Sequence, residues 1–420
     1  MDYFNYKKGI LHVENLSIES LASSIETPFY CYSSSSMQKN YNELSSTLHG
    51  LNASIFFAIK ANSNLAIIKL FSDLGAGADV VSEGEIIRAL KVGIPNKKII
   101  FSGVGKTKRE IAFALDKDIL QINIESESEL ELINQTASEL YKKANVAFRV
   151  NPDIEVNTHE KITTGKKENK FGIPWPDARE IFIKASKMNN INVIGLAIHI
   201  GSQLLDLDPL EKAFKIAMQA TNELLDLGIN IKNIDLGGGL GVNYVNETPP
   251  KFTEYAEIIK KNIDYKNINI FIEPGRRLVA DAGILVTKVI HRKNNGAKNF
   301  LIVDAAMNDL LRPTLYDAIH KIQPIQEKKF INKKLFDIVG PICESGDILA
   351  KDIALGEILP DEILSINTAG AYGAVMSSNY NSRLLIPEVL VHDEDFSIIR
   401  KRPTYDEMLK SENLAKWQSL

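Results

Sequence analysis

The sequence predicts an α/β protein, a (β/α)8 barrel followed by a mainly β domain. Three observations carry that prediction. Eight short apolar runs recur between residues 53 and 275, each passing into polar or glycine residues and then into a helix-like stretch. The runs are rich in β-branched and aromatic residues with little polar alternation, which suits strands buried on both faces of a parallel sheet. After about residue 280 the long helical stretches give way to strand-like runs separated by loops, the texture of a mainly β fold.

In order, the eight runs are ASIFFAIK (53–60), ADVVS (78–82), KKIIFSG (97–103), ILQINIES (119–126), NVAFRV (145–150), INVIGLAIHIG (191–201), IKNIDLGGG (231–239) and INIFIEPG (268–275). Helix starts follow directly. Ser82-Glu83-Gly84-Glu85 and Ser126-Glu127-Ser128-Glu129 both read S-x-x-E, the capping-box pattern, immediately after a strand. An open doubly wound sheet would show the same alternation. Eight strand–helix units over roughly 240 residues favour the barrel.

The second domain is read from GILVTKVIHRK, KNFLIVDAAM, KLFDIVG, EILSINTAGAYG and SRLLIPEVLV. TPFYCYSSSS near the amino terminus is also strand-like, so both termini are expected to build it. The predicted division is a barrel over 36–280 and a mainly β domain from 1–35 and 281–420. Runs rich in Lys and Asn (157–170, 291–299, 320–334) are expected to be solvated loops.

Composition narrows the function classes. Of 420 residues, 45% are hydrophobic and 24% charged, with a formal net charge of −4, which argues against nucleic acid or an anionic membrane as the main partner. The two cysteines, Cys31 and Cys343, are too few for a disulfide framework and too far apart for a metal knuckle. No metal site and a reduced, cytoplasmic setting are expected. No stretch reaches the length of a membrane span, and the first thirty residues lack the apolar core of a signal peptide.

In a barrel the chemistry sits at the carboxyl ends of the strands. Lys60 ends the first run, where an apolar mouth depresses an amine's pKa and makes Schiff-base chemistry possible. His199 and Ser202 end the sixth, in HIGSQ, and the imidazole offers a flat face for stacking. Gly237, Gly238 and Gly239 end the seventh; three consecutive glycines suit an anion-wrapping turn or positive φ. Their spacing does not fit G-x-G-x-x-G. Gly103-Val104-Gly105-Lys106-Thr107 resembles the end of a Walker loop but has Ile100 where glycine is required. Glu273, Pro274, Gly275 and Arg276 end the eighth run, adding a carboxylate and a guanidinium. A lysine, a stacking ring, a phosphate-type glycine turn and a carboxylate are together what pyridoxal 5′-phosphate needs.

FAIKAN (57–62), HIGSQ (199–203), DLGGGLG (235–241), EPGR (273–276), CESGD (343–347), AGAYG (369–373) and YNSR (380–383) occur in this order along the chain. The set resembles the diaminopimelate decarboxylases, fold-type III enzymes that use pyridoxal phosphate for the last step of lysine biosynthesis. Their fold, shared with ornithine and arginine decarboxylases and alanine racemase, is a barrel plus a β domain.

The resemblance implies Lys60 as the Schiff-base lysine and His199 as the ring-stacking residue. Ser202, Gly237–Gly239 and the Gly275-Arg276 backbone would hold the phosphate, with Pro274 also among the cofactor-binding residues. Glu273 would face the pyridine nitrogen, and Tyr372 would lie against the cofactor. Substrate contacts are implied for Arg276, Arg312, Tyr316, Glu344 and Tyr372. Arg277 beside Arg276 leaves open which guanidinium serves. Cys343 is implied as the acid that protonates the α-carbon, reaching the site from the partner of a homodimer.

The expected activity is conversion of meso-diaminopimelate to L-lysine and CO2. The alternatives are a related decarboxylase for ornithine, arginine or carboxynorspermidine, and a catalytically silent regulator on the same fold. Glu344-Ser345-Gly346 speaks for the first reading, and retention of both Lys60 and Cys343 speaks against a silent protein.

Overall fold

Apolar runs that cannot meet water on either face close on themselves. In a computed structural model describing residues 3–154, 170–264, 266–328 and 332–418, the eight runs form eight parallel strands. They span Ala53–Ala58, Gly77–Val80, Ile99–Phe101, Gln121–Ile124, Ala144–Asn151, Ile191–Ala197, Asn233–Asp235 and Asn269–Ile272. Each pairs with the next, and Ile270, Phe271 and Ile272 pair with Ala53, Ser54 and Ile55 to complete a closed barrel. A two-residue strand, Ile173–Pro174, adds beside the fifth.

The chain divides into two compact units, Met37–Ala280 and Met1–Ser36 with Asp281–Leu420. Inside the barrel unit, Phe56, Ile100 and Phe271 make a small apolar cluster with Leu120. Gln121, Asn123, Asn233 and Asp235 are also buried, so their hydrogen bonds must be made within the protein. Gln121 Nε2 donates to Asn123 Oδ1 at 2.7 Å, and Asn123 Nδ2 donates to Ser102 Oγ at 3.1 Å and Asp235 Oδ2 at 3.2 Å.

Helices Glu83–Lys91 and Glu127–Glu139 begin at the predicted serines. Ser82 Oγ accepts from Glu85 N, and Ser126 Oγ from Glu129 N, each at 3.2 Å. The reciprocal half of the capping box is replaced. Glu85 and Glu129 reach one residue further back and accept from Val81 N and Glu125 N, tying each helix to the strand end before it. A complete box forms instead at Thr107 and Glu110.

The other unit carries a sheet in the order Ile348–Leu355, Lys334–Val339, Asn299–Val303, Gly283–Asn294, Phe29–Ser33, Glu388–His392, Asp395–Arg400. Ile363–Ile366 pairs with Gly283–Asn294 and with Ile322–Pro324. A three-stranded sheet lies at the amino terminus, over Phe4–Lys7, Ile10–Val13 and Leu16–Ser17. Phe29, Cys31, Ile284, Val286, Val389 and Val391 pack with Leu11, Val13, Ile18 and Leu21 into one core. Burial in that core pushes the Cys31 thiol up, leaving it a small hydrophobe.

Two of the expected solvated loops need correction. Residues 291–294 continue the long strand Gly283–Asn294, whose charged end is exposed, and Asn299 opens the next strand. Within 320–334, Ile322 is buried in a paired strand. The third expected loop, 157–170, lies outside the described residues except for Lys170, and so do residues 329–331. Among the described residues, no helix is long and apolar enough to cross a membrane.

Candidate active site

The barrel contributes Lys60, His199, Ser202, Gly237–Gly239, Glu273, Pro274, Gly275 and Arg276, all just beyond the carboxyl ends of its strands. Lys60 lies in a 3-10 turn, Ile59–Ala61, that follows the first strand. Its Nζ pairs with Oδ2 of Asp79, a fully buried carboxylate on the second strand. Asp79 Oδ1 is buried without a hydrogen-bond partner among the described residues.

Glu273 follows the eighth strand and hydrogen-bonds the carboxyl of Asp235. Its Oε1 is buried and has no hydrogen-bond partner among the described residues. Burial first, then Asp235 and Asp79, push the Glu273 carboxyl well up, with Lys60 opposing them. Asp235 is pushed up as well, chiefly by burial, while it accepts from Gly237 N at 2.9 Å and from Asn123.

His199 is held as a neutral ring. Burial, Arg149 and Lys60 push its pKa well down, and Nδ1 accepts from Gly238 N at 3.3 Å, which leaves the proton on Nε2. Arg149 also donates to His199 O at 3.5 Å and pairs with Glu125 at 2.9 Å.

The triple glycine is explained by crowding as well as by φ. Gly237 and Gly239 have φ of +65° and +112°. A Cβ on Gly237 would meet Ile198 O at 2.6 Å and His199 Nδ1 at 2.8 Å, and one on Gly239 would meet Gly201 O at 2.5 Å. Gly238 lies equally hard against Glu273 O. The turn threads between the ends of the sixth and eighth strands, where no side chain fits. Gly275 is similarly confined, with Ala61 Cβ 2.9 Å from the position a Cβ would take.

The two neighbouring arginines part. The Arg276 guanidinium is buried, donating to Ser202 Oγ at 3.1 Å and to the Tyr244 hydroxyl. The Arg277 guanidinium lies over the Phe252 ring, 4.5 Å from its centroid. Lys106 of the Walker-like stretch is buried and spent on structure, donating to Gly103 O and Asn123 O at 2.6 Å and to Glu129 at 2.9 Å.

The second unit holds Arg312, Tyr316, Cys343, Glu344 and Tyr372. Arg312 and Tyr316 open and close the short helix Arg312–Tyr316, with the guanidinium 6.0 Å from the Tyr316 ring centroid. Thr314 Oγ1 donates to Gly346 O at 2.9 Å, joining this helix to the CESGD loop. Asp347 fixes that loop by accepting from Met307 N and Ile342 N, each at 2.7 Å. Cys343 and Glu344 are exposed on it, and Cys343 N donates to Asn381 Oδ1 at 2.9 Å. The Tyr380 hydroxyl bonds Glu344. Tyr372 has φ of +54°, held between small residues of AGAYG.

Asp79, Asn123, Arg149, Asp235 and Tyr244 were not singled out from sequence. Three of them carried a signal: a lone charge inside an apolar run, as in ADVVS, AFRV and NIDL, marks a buried charge that needs a partner.

Comparison with known proteins gives the family. Residues 34–280 match the family described as "Pyridoxal-dependent decarboxylase, pyridoxal binding domain". Diaminopimelate decarboxylase of Aquifex aeolicus is 43% identical over 405 residues, covering 96% of each chain. The crystal structure of diaminopimelate decarboxylase from Helicobacter pylori complexed with L-lysine superposes with a TM-score of 0.90 at 42% identity, covering 93% of this chain and 98% of that one. That of M. jannaschii in co-complex with L-lysine gives 0.93 at 38% identity, covering 99% and 98%. The chain belongs to the diaminopimelate decarboxylase family of pyridoxal-dependent decarboxylases.

Proposed function

We propose that the protein decarboxylates meso-diaminopimelate to L-lysine and CO2 with pyridoxal 5′-phosphate, as a cytoplasmic homodimer. The observation that carries the reading is the buried, unpartnered Oε1 of Glu273 in a mouth that also holds an amine, a neutral imidazole and a crowded glycine turn. These residues fit the cofactor. The orphaned oxygen suits a pyridine N–H, and the glycine turn takes positive φ at Gly237 and Gly239, as anion-wrapping turns do.

When bound, pyridoxal 5′-phosphate supplies an aldehyde that condenses with amines and a protonated ring that accepts the electron pair left by CO2. Lys60 would hold it, its Nζ placed by the buried Asp79 carboxylate. His199, kept neutral, presents a flat face to the ring without competing for its charge. Glu273 would accept the ring N–H at its unpartnered Oε1, and the ring's positive charge would oppose the burial and the two neighbouring carboxylates that push its carboxyl up. Ser202, Gly237, Gly238 and Gly239, with the Gly275-Arg276 backbone, would bind the phosphate, and Pro274 would lie beside the cofactor.

Arg276 and Arg312 would hold the carboxylate that is retained, because a planar fork matches it bidentately. Glu344, steadied by Tyr380, would take the distal ammonium, and Tyr316 and Tyr372 would line the substrate. Cys343, on its exposed loop, would deliver a proton to the α-carbon in the partner's site. The test is a substrate panel on the cofactor-loaded protein. Lysine and CO2 are expected from meso-diaminopimelate, with little turnover of ornithine, arginine or carboxynorspermidine. A folded, loaded protein that leaves meso-diaminopimelate untouched would refute the proposal.

A further inference from the structure

We infer that His320 is a positioning residue that fixes the Arg312 guanidinium for the retained substrate carboxylate and locks it to the loop carrying Tyr372. The inference rests on the substrate role proposed above for Arg312.

His320 is fully buried four residues beyond the helix Arg312–Tyr316. Its Nε2 lies 3.3 Å from Arg312 Nε, and its Nδ1 lies 2.9 Å from Asn367 O. Chemistry fixes the roles. A guanidinium has only donors, so Nε2 must accept, and a carbonyl only accepts, so Nδ1 must carry the proton. The ring is therefore a neutral relay with one permitted tautomer.

The surrounding backbone sets both ends of that relay. Asp317, at φ of +52°, reverses the chain after Tyr316, and the N–H groups of Asp317 and Ala318 return to Arg312 O. The reversal brings His320 back beneath the side chain of Arg312. On the far side, Asn367 N donates to Lys321 O at 2.9 Å, so the two segments are zipped at consecutive positions. Asn367 stands two residues before Ala369, where AGAYG begins. With Nε engaged by His320, the terminal nitrogens of Arg312 keep a fixed direction, which is what bidentate binding of a carboxylate needs.

The test compares two ligands on the holoenzyme. L-Lysine keeps the carboxylate, and the five-carbon diamine left by removing it does not. His320→Phe keeps a flat ring without the acceptor, and is expected to weaken inhibition by L-lysine by roughly tenfold or more. It should raise KM for meso-diaminopimelate in parallel, with kcat and inhibition by the diamine little changed, the signature of lost uniform binding. His320→Gln, whose side-chain carbonyl can accept from Arg312, should recover most of the L-lysine affinity. Equal weakening of both ligands, or of neither, would overturn the inference while leaving the decarboxylase reading intact. A wild-type protein without turnover would instead overturn that reading. The nitrogen chemical shifts of isotope-labelled histidine give a check that needs no variant: a neutral Nδ1–H tautomer is expected, and a proton on Nε2 would contradict the relay.

Discussion

The barrel and the β unit hold their functional side chains in opposite ways. At the barrel mouth the side chains are partners in buried electrostatics: Lys60 with Asp79, Glu273 with Asp235, Arg149 with Glu125, Lys106 with Glu129. Replacing one changes the charge its neighbours feel. In the CESGD loop the backbone is fixed by Asp347 and Asn381, while the side chains of Cys343 and Glu344 are exposed. There the shape of the loop and the chemistry at its tip are separable. The same protein thus contains a site where function and stability are coupled and one where they are not.

The largest expected effect is at Lys60. Lys60→Ala should lower turnover by roughly four orders of magnitude in a steady-state assay. Retention of a substantial part of the activity would break the account of the barrel mouth. Cys343→Ala comes next, lowering turnover by roughly 10²–10⁴-fold while the thermal midpoint stays where it was. A large drop in that midpoint would erase the contrast between the two regions.

Lys106→Met sharpens the comparison from the other side. It leaves the buried Glu129 carboxylate unpaired, and should cost roughly 3–5 kcal/mol in urea unfolding with the slope unchanged. A loss within experimental error would mean that the buried pair contributes little.

The smallest effect is a pH dependence inside the β unit. Burial pushes the Asp309 carboxyl up to about 7, against the lowering influence of Ala306 N–H. The folded protein therefore holds this proton more tightly than the unfolded chain, whose value lies near 4. The stabilisation is full below about pH 4 and is lost as pH rises through about 7. Asp309→Asn should lose less stability than wild type between about pH 5 and pH 8, read from thermal midpoints at both ends. Parallel curves would show that Asp309 does not titrate in that range.

Much of this was legible before the structure. The eight strands were readable because burial on both faces keeps their runs rich in β-branched and aromatic residues, even where Gln121, Asn123, Asn233 and Asp235 are buried among them. The strand ends were readable because a lysine, a histidine and three glycines stand out against such runs. The pairings were not. Asn123 meets Asp235, and His320 meets Asn367, only once the chain has closed on itself. Ile348–Leu355 and Asp395–Arg400 were missed as strands because they lie at the two ends of the sheet, where exposed positions admit Lys, Asp and Arg. The capping boxes at Ser82 and Ser126 were half right, since the glutamates reach past the serine N–H to the preceding strand ends.

The central claim is that Lys60 is the residue that holds the cofactor. Borohydride reduction of the cofactor-loaded protein, followed by peptide mapping in a mass spectrometer, tests it directly. The account predicts the reduced pyridoxyl group on the peptide containing Lys60 and on no other. The group on a different lysine, or no covalent adduct on a fully loaded protein, would contradict it.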